Sequence, residues 1–134
     1  MNKYMEMAFE EAKKAYKKKE VPVGAVVVCN GKVVSKAHNT RQRKKSVIDH
    51  AEINAILKAE KKFGDWRLSE CDLYVTLKPC SMCEAIIKES RIKNVYYGID
   101  KPANKKEYNK AKLTQTNVCD EYQEILSNFF KNKR

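Results

Sequence analysis

The stretch VPVGAVVVCNGKVVSKA, residues 21–37, contains two runs rich in β-branched residues that meet at Asn30-Gly31. An Asn-Gly pair between two such runs is a strong indication of a two-residue β-hairpin turn. The first run, residues 23–28, is apolar on both faces, which is typical of a strand covered on both sides by other layers. The sequence therefore predicts an opening hairpin in a sheet with both faces covered.

A helix is predicted before the hairpin, over residues 3–19, because apolar residues recur there every three or four positions in an otherwise charged segment. The stripe expected to face the core consists of Met5, Ala8, Phe9, Ala12, Ala15 and Tyr16. After the hairpin, residues 38–49 are polar and basic and are expected to form an exposed loop.

The rest of the chain alternates helices and strands. A helix beginning at His50 and ending before Gly64 is expected to bury Ala51, Ala55, Ile56 and Ala59. It is followed by a strand at 72–77, a helix at 81–90, a strand at 94–99 and a closing helix at 120–134 whose apolar side contains Ile125, Leu126, Phe129 and Phe130. This order predicts an α/β layer structure with a mixed sheet, in a single domain over residues 1–134.

The net charge of the chain is +11, from 28 basic and 17 acidic residues. An excess of this size favours a partner that carries phosphate. Only five of the 28 basic residues are arginine, which reads bases better than lysine, so the charge alone does not decide for nucleic acid. The charged N-terminus contains no apolar run of signal-peptide length, and the five cysteines are expected to be thiols in a cytoplasmic protein.

Four residues form the most informative motif: His50, Glu52, Cys80 and Cys83. A Cys-x-x-Cys pair at the start of a helix lies near unpaired N–H groups, which favour thiolates. One histidine and two cysteines leave tetrahedral zinc an open position, as in catalytic zinc sites. Glu52 lies about 200° around the helix from His50 and is expected beside the open position rather than on the metal.

Two other interpretations of the cysteine pair remain open. A structural zinc site would need a fourth ligand, for which the candidates are Cys29, Cys71, Cys119 and His38. A redox pair of the thioredoxin kind would not require a partnered His-x-Glu. The four-part combination therefore favours a catalytic zinc site.

The segments His50-Ala51-Glu52 and 79–83 (PCSMC) resemble the His-x-Glu and Pro-Cys-x-x-Cys motif of zinc-dependent nucleobase deaminases. The similarity extends through residues 21–26, 73–77, 90–98 and 129–131, where the chain resembles bacterial tRNA adenosine deaminases more than cytosine or guanine deaminases. The resemblance implies a three-layer α/β/α cytidine deaminase-like fold, with a mixed five-stranded sheet flanked by helices, and a homodimer.

The resemblance also implies the activity, which is hydrolytic deamination of the wobble adenosine in a tRNA anticodon stem-loop to inosine. One Zn²⁺ per subunit would be bound by His50, Cys80 and Cys83, with Glu52 moving the protons. The substrate contacts that it implies are Asn39, Ala51 and Pro79, although Asn39 on its own would be expected to bind its own backbone. Basic residues expected to contact RNA phosphates are Arg41, Arg43, Lys44, Lys45, Lys131, Lys133 and Arg134.

The chain departs from the family pattern at three places. Lys78 replaces a glutamate, and residues 101–117 are shorter and poorer in glycine and serine. Asp49 replaces a small residue; it is expected to cap the following helix rather than to bind the His50 imidazole. A deaminase of free guanine, cytosine or a nucleoside, or an RNA-binding protein with structural zinc, stays as an alternative function.

Overall fold

The computed structural model describes residues 2–100, 115 and 120–131. The chain divides into two compact units, Met1–Asn104 and Lys105–Arg134. The first unit contains, in chain order, α1 (Lys3–Lys17), β1 (Gly24–Cys29), β2 (Lys32–His38), α2 (Arg41–Lys44), α3 (Ala51–Phe63), β3 (Cys71–Leu77), α4 (Ser81–Glu89) and β4 (Asn94–Ile99). The second unit contains α5 (Asp120–Lys131). The prediction of a single domain stays a prediction.

The first unit is built on a mixed four-stranded sheet in the order β2-β1-β3-β4. Strand β1 is antiparallel to both β2 and β3, and β3 is parallel to β4. A parallel pair requires a crossover connection, which α4 supplies. The predicted α/β structure with a mixed sheet is confirmed. The expectation of five strands is wrong for the described residues, because it rested on the resemblance alone, whereas the sequence itself contains four strand patterns.

Helices cover both faces of this sheet, so the predicted three-layer arrangement is confirmed. Helix α1 packs on one face, where Ala8, Val26 and Val28 form a small core cluster. Helices α3 and α4 belong to the other face, where the larger cluster lies. Neighbouring residues Val26 and Val27 are both fully buried, one in each cluster, as expected for a strand between two layers.

The predicted hairpin turn is confirmed. Asn30 and Gly31 have φ values of +51° and +76°, the pair of positive values that a type I′ turn requires and that Asn-Gly readily adopts. Val27 pairs with Ser35 whereas Val28 pairs with Val33, so a bulge shifts the register within the hairpin.

The buried face of α1 differs from the predicted stripe. Phe9 and Tyr16 are 48% and 72% exposed, whereas Glu11 is buried. The helix backbone lies very close to β1, since a Cβ added to Gly24 would stand 1.9 Å from the carbonyl oxygen of Ala8. Only small side chains fit in such a contact, and the buried apolar residues of this helix are Ala8, Ala12 and Ala15.

The other predicted helices are confirmed with small changes at their ends, except that residues 132–134 of the predicted closing helix lie outside the described residues. Helix α3 ends at Gly64, and the four residues predicted to face the core are all buried. Helix α5 contains Phe129 and Phe130, whose rings meet edge to face with centroids 5.4 Å apart. None of the helices in the described part of the chain is long and apolar enough to span a membrane.

Candidate active site

Two helix N-termini meet at the residues of the Cys-x-x-Cys and His-x-Glu motifs. His50 occupies the N-cap position of α3 and Cys80 that of α4, both with extended backbone conformations. Neither side chain forms a capping hydrogen bond to its own helix. The imidazole and the thiol are instead directed toward each other, together with Cys83 from the first turn of α4.

His50, Cys80 and Cys83 form a compact group with the geometry of a metal site. The Nδ1 atom of His50 lies 3.4 Å from Sγ of Cys83 and 3.9 Å from Sγ of Cys80. Tetrahedral zinc, with Zn–N of about 2.05 Å and Zn–S of about 2.3 Å, would place nitrogen and sulfur about 3.6 Å apart. The three ligand atoms lie within 4.8 Å of one another, and no other His, Cys, Asp or Glu of residues 2–100, 115 and 120–131 belongs to the group.

The electrostatics of the group also suit a cation. Burial raises the pKa of the Cys83 thiol well above its ordinary value, and the negative charges of Glu52 and Cys80 raise it further. Two thiolates and a carboxylate at such short range repel one another unless a positive charge lies between them. A divalent ion supplies that charge and favours deprotonation of its thiol ligands, so the residues present fit a metal ion.

Glu52 lies beside this group rather than within it. It is the second residue of α3 and is only 4% exposed. Its carboxylate interacts with the Cys83 thiol. A buried carboxylate in the first turn is favoured by the positive end of the helix. The role predicted for Glu52, beside the open position of a three-ligand metal site, stays a prediction.

The residues predicted to contact the substrate have different surroundings. Asn39 is buried, and its Oδ1 accepts a hydrogen bond of 2.9 Å from the backbone N–H of Arg41, which is the local role that its loop position predicts. Its Nδ2 amide group is the donor that remains. Ala51 is the buried first residue of α3, and Pro79 is buried just before Cys80.

The segment predicted as an exposed loop contains the one-turn helix α2 and is fixed to the start of α3. The Thr40 N–H donates to the Asp49 carbonyl, which closes the segment just before His50. Asn54 reinforces the closure, because its Nδ2 donates to the carbonyl of His38 at 3.0 Å and to Oγ1 of Thr40 at 2.9 Å. Sequence reasoning missed Asn54, although a polar residue inside the apolar run of α3 was a clue.

The basic residues predicted to contact RNA are only partly described. Arg41, Arg43, Lys44 and Lys45 are all exposed on the α2 segment, a few residues before His50. Lys131 is exposed at the end of α5. Lys133 and Arg134 lie outside the described residues, as does most of the segment 101–117. Sequence reasoning also missed Glu20, a buried residue that binds the α2 backbone.

The candidates for a fourth metal ligand lie elsewhere or are not described. Cys29 and Cys71 face each other across β1 and β3, and burial together with Cys29 raises the pKa of Cys71 to about 12. His38 places Nδ1 3.2 Å from Oε1 of Glu11 in α1. Cys119 lies outside the described residues. The described part of the chain therefore supports a three-ligand site.

Two of the positions at which the chain departs from the family pattern, Asp49 and Lys78, belong to the described residues. The expectation that Asp49 caps α3 is wrong, because the chain enters the helix one residue later and His50 is the N-cap. Lys78 donates its backbone N–H to the carbonyl of Ile99, and its Nζ lies 5.8 Å from the ring centroid of Tyr97. The Lys78 ammonium is thus within range of a cation–π contact with β4.

Comparisons with known proteins agree on a deaminase. The profile of the MafB19-like deaminase family matches residues 1–134. The tRNA-specific adenosine deaminase of Bacillus subtilis is 48% identical over 99 residues, which cover 74% of this chain and 62% of that protein. The tRNA-specific adenosine deaminase of Agrobacterium fabrum is 37% identical over 143 residues, covering 98% and 94% of the two chains. This chain thus spans less than two thirds of the B. subtilis relative.

Solved structures give the same fold. One, from a study of A-to-I editing by tRNA:A34 deaminases at the wobble position of transfer RNA, is 44% identical with a TM-score of 0.72, covering 74% of this chain and 76% of that one. The guanine deaminase of B. subtilis is 25% identical with a TM-score of 0.79, covering 100% and 98%. The α/β architecture is that of the deaminases, while sequence identity is higher to the tRNA enzymes.

Proposed function

The chain belongs to the MafB19-like deaminase family and is a relative of the tRNA-specific adenosine deaminases, and on this premise we propose that it hydrolyses wobble adenosine in tRNA to inosine. The observation that carries the proposal is the convergence of His50, Cys80 and Cys83 with the buried carboxylate of Glu52 beside them. A carboxylate in that place has a use in hydrolysis and none in a purely structural metal site.

We assign one zinc ion per chain to the three-residue group. The nitrogen and sulfur donors suit zinc, and the described residues supply three ligands, the number found in catalytic sites. When bound in this way, zinc lowers the pKa of water to about 7 and so supplies the nucleophile for hydrolysis at neutral pH.

Glu52 is the proton carrier of the proposed reaction. Addition of water at C6 of adenine requires one proton to reach N1 of the ring, and loss of ammonia requires a proton on the departing nitrogen. The Glu52 carboxylate accepts the proton that water loses on addition and donates it to N1; it then accepts the second proton of that water, from the hydroxyl now on C6, and donates it to the departing nitrogen as the C6 carbonyl forms. Because Glu52 is buried, each proton is held away from bulk solvent between its acceptance and its donation.

The substrate contacts implied by the resemblance are part of the proposal. We assign hydrogen bonds with the nucleoside to the Nδ2 of Asn39 and the backbone N–H of Ala51, and contact with the base to Pro79. Phosphate contacts are assigned to Arg41 and Arg43, with further contacts from Lys131, Lys133 and Arg134 at the C-terminus. Extrusion of an anticodon base from a single-stranded loop costs less than from a duplex. Since tRNA is the proposed substrate, we place the activity in the cytoplasm.

The homodimer implied by the resemblance is part of the proposal. An apolar groove of about 270 Å³ lies between α3 and α4, and Leu57 and Trp66 in its wall are 51% and 47% exposed. This groove is the surface that we assign to a second copy of the chain. Sedimentation of the Leu57→Glu variant as a monomer, when the unchanged chain sediments as a dimer, would support the assignment.

A second candidate function is deamination of free guanine, which the full-length structural similarity to guanine deaminase favours. The two functions differ in their dependence on salt. Binding of an RNA polyanion releases counterions, so its affinity falls steeply as salt increases, whereas a neutral base shows no such dependence.

The experiment that tests the proposal is nucleoside mass spectrometry on bacterial tRNA incubated with the zinc-loaded chain. We expect inosine with the unchanged chain, a loss of at least 10²-fold with Glu52→Ala, and no inosine after zinc is removed with a chelator. A matched control is Glu11→Ala, which removes a buried glutamate that pairs with Lys14 and His38 and does not belong to the metal group. Production of xanthine from guanine, with no inosine from tRNA, would instead support the second function.

A further inference from the structure

Glu20 is a buried acidic residue that the proposed reaction does not use. It lies between α1 and β1 and is 4% exposed. Its carboxylate accepts a hydrogen bond of 2.9 Å from the backbone N–H of Gln42 and one of 2.7 Å from that of Arg43. We propose that Glu20 is a positioning residue, which sets the basic α2 segment in the place where it binds the phosphates of the RNA. This inference rests on the proposed function.

Apart from the closure of its segment onto the start of α3, the α2 helix has few contacts that hold it in place. It is a single turn of four residues with no buried side chain, and a helix of that length does not persist on its own. Its N-cap, Thr40, forms no side-chain capping bond. The first three N–H groups of the helix are satisfied instead by Asn39 and Glu20, Asn39 binding Arg41 and Glu20 binding the next two.

Glu20 itself is firmly anchored. Its backbone N–H donates to the carbonyl of Ala15 at the end of α1, and Lys19 before it adopts a left-handed conformation with φ of +61°. The carboxylate is therefore attached to α1, which packs against the sheet. Its two hydrogen bonds fix the α2 backbone to this rigid framework, although Gln42 and Arg43 lie 22 and 23 residues further along the chain.

The charges explain why a carboxylate is suited to this position. A buried carboxylate is costly unless hydrogen-bond donors and positive charge surround it. Glu20 faces two backbone donors of a segment that bears Arg41, Arg43, Lys44 and Lys45. It binds that segment through the backbone only, so the arginine side chains remain exposed for phosphate. A glutamine in its place keeps one acceptor but turns an amide N–H₂ toward a backbone N–H.

The variant Glu20→Gln separates binding from chemistry. The metal group and Glu52 are unchanged, so we expect kcat to stay within about twofold. Phosphate binding by the displaced arginines weakens, so we expect the KM for an anticodon stem-loop RNA to rise about tenfold, which corresponds to about 1.4 kcal/mol. The matched control is Glu11→Gln, since Glu11 is 5% exposed and binds Lys14 and His38 rather than α2.

A double-mutant cycle distinguishes positioning from a general loss of stability. If Glu20 acts through the α2 arginines, Glu20→Gln raises KM by less than about twofold in a chain that already carries Arg41→Ala and Arg43→Ala. Glu11→Gln changes KM by the same factor in both backgrounds. An equal tenfold effect of Glu20→Gln in both backgrounds, or no effect in either, overturns the proposal. Glu20→Asp, which keeps the charge, replaces Glu20→Gln if that variant does not fold, and its effect must disappear in the same way.

Failure of the proposed function gives a different result. If the unchanged chain forms no inosine, the same cycle is run on the Kd of fluorescein-labelled stem-loop RNA, measured by anisotropy. Loss of the Glu20 effect in the arginine-deficient background supports the positioning role even though the reaction is wrong. A chain that does not bind this RNA, or a Glu20→Gln variant that binds it as tightly as the unchanged chain, overturns the positioning role.

Discussion

Asn54 provides a quantitative test of how the segment before His50 is held. The residue is 9% exposed, and its single N–H₂ group faces three acceptors: the carbonyls of His38 and Asp49 and the hydroxyl of Thr40. Two of these distances are 3.0 and 2.9 Å, and the third, to Asp49, is 3.4 Å. Asn54→Ala removes two good hydrogen bonds at about 1 kcal/mol each, so we expect a loss of about 2 kcal/mol in the free energy of unfolding.

The nearly isosteric Asn54→Asp should destabilise the folded state by an amount that depends on pH, and at pH 7 by more than Asn54→Ala. An ionised carboxylate would face three acceptors, so the folded state holds this group protonated and raises its pKa above the unfolded value of about 3.9. The Asn54→Asp variant therefore keeps its stability at low pH, and its free energy of unfolding falls as the pH rises above about 3.9, because the unfolded state then loses the proton more readily. At 1.36 kcal/mol per unit, the cost is about 1.5 kcal/mol at pH 5 and about 4 kcal/mol at pH 7.

Urea denaturation of the zinc-loaded variants at both pH values measures this difference. Asn54→Ala serves as the reference, because the pH dependence of metal binding is common to both variants and cancels. We expect Asn54→Asp to lose about 2.7 kcal/mol relative to Asn54→Ala between pH 5 and pH 7. A constant difference between the two variants would refute the inference that the Asn54 amide acts as a donor to the segment.

Two further predictions concern the framework around the site. Gly24→Ala brings a Cβ to 1.9 Å from the Ala8 carbonyl oxygen, so overpacking should lower the free energy of unfolding by about 3 kcal/mol or more, whereas Gly31→Ala, which has open space but a φ of +76°, should lower it by only about 1 kcal/mol. Similar melting temperatures for the two variants would contradict the close approach of α1 to β1. Cys71, whose pKa is raised from 9.0 to about 12, should react with iodoacetamide at pH 8 about a thousandfold more slowly than a free cysteine. Peptide mass spectrometry measures its labelling, and a rate within tenfold of the free thiol would show that the residue is not buried as a neutral thiol.

The parts of the fold that sequence predicted well depend on local interactions. The turn at Asn30 and Gly31 follows from the backbone freedom of two adjacent residues, and the end of α3 at Gly64 follows from one. The errors involve contacts between distant residues. Phe9 is exposed and Glu11 buried because α1 lies close to β1 and because His38, 27 residues away, pairs with Glu11. No periodicity within the helix contains that information.

The candidate site shows the same division. The residue types and spacing of His50, Cys80 and Cys83 indicated a metal group, and the structure brings the three side chains together. The residues that position the neighbouring loop, Glu20 and Asn54, were missed, because most of their partners are distant backbone atoms, such as the N–H of Gln42 for Glu20 and the carbonyl of His38 for Asn54. Any residue type can supply a backbone atom, so no motif marks such a partner.

The two helix N-termini that form the site lack side-chain capping hydrogen bonds, which lowers the stability of both helices. N-cap positions favour Ser, Thr, Asp and Asn, whose side chains satisfy a free N–H and stabilise a helix by about 1 kcal/mol. Helices α3 and α4 have His50 and Cys80 there, and neither side chain caps its helix. Both side chains are directed toward the metal group instead. The positive ends of the two helices also favour the negative charge of thiolate ligands. The stability lost at the two caps thus accompanies the placement of His50 and Cys80 in one group with Cys83.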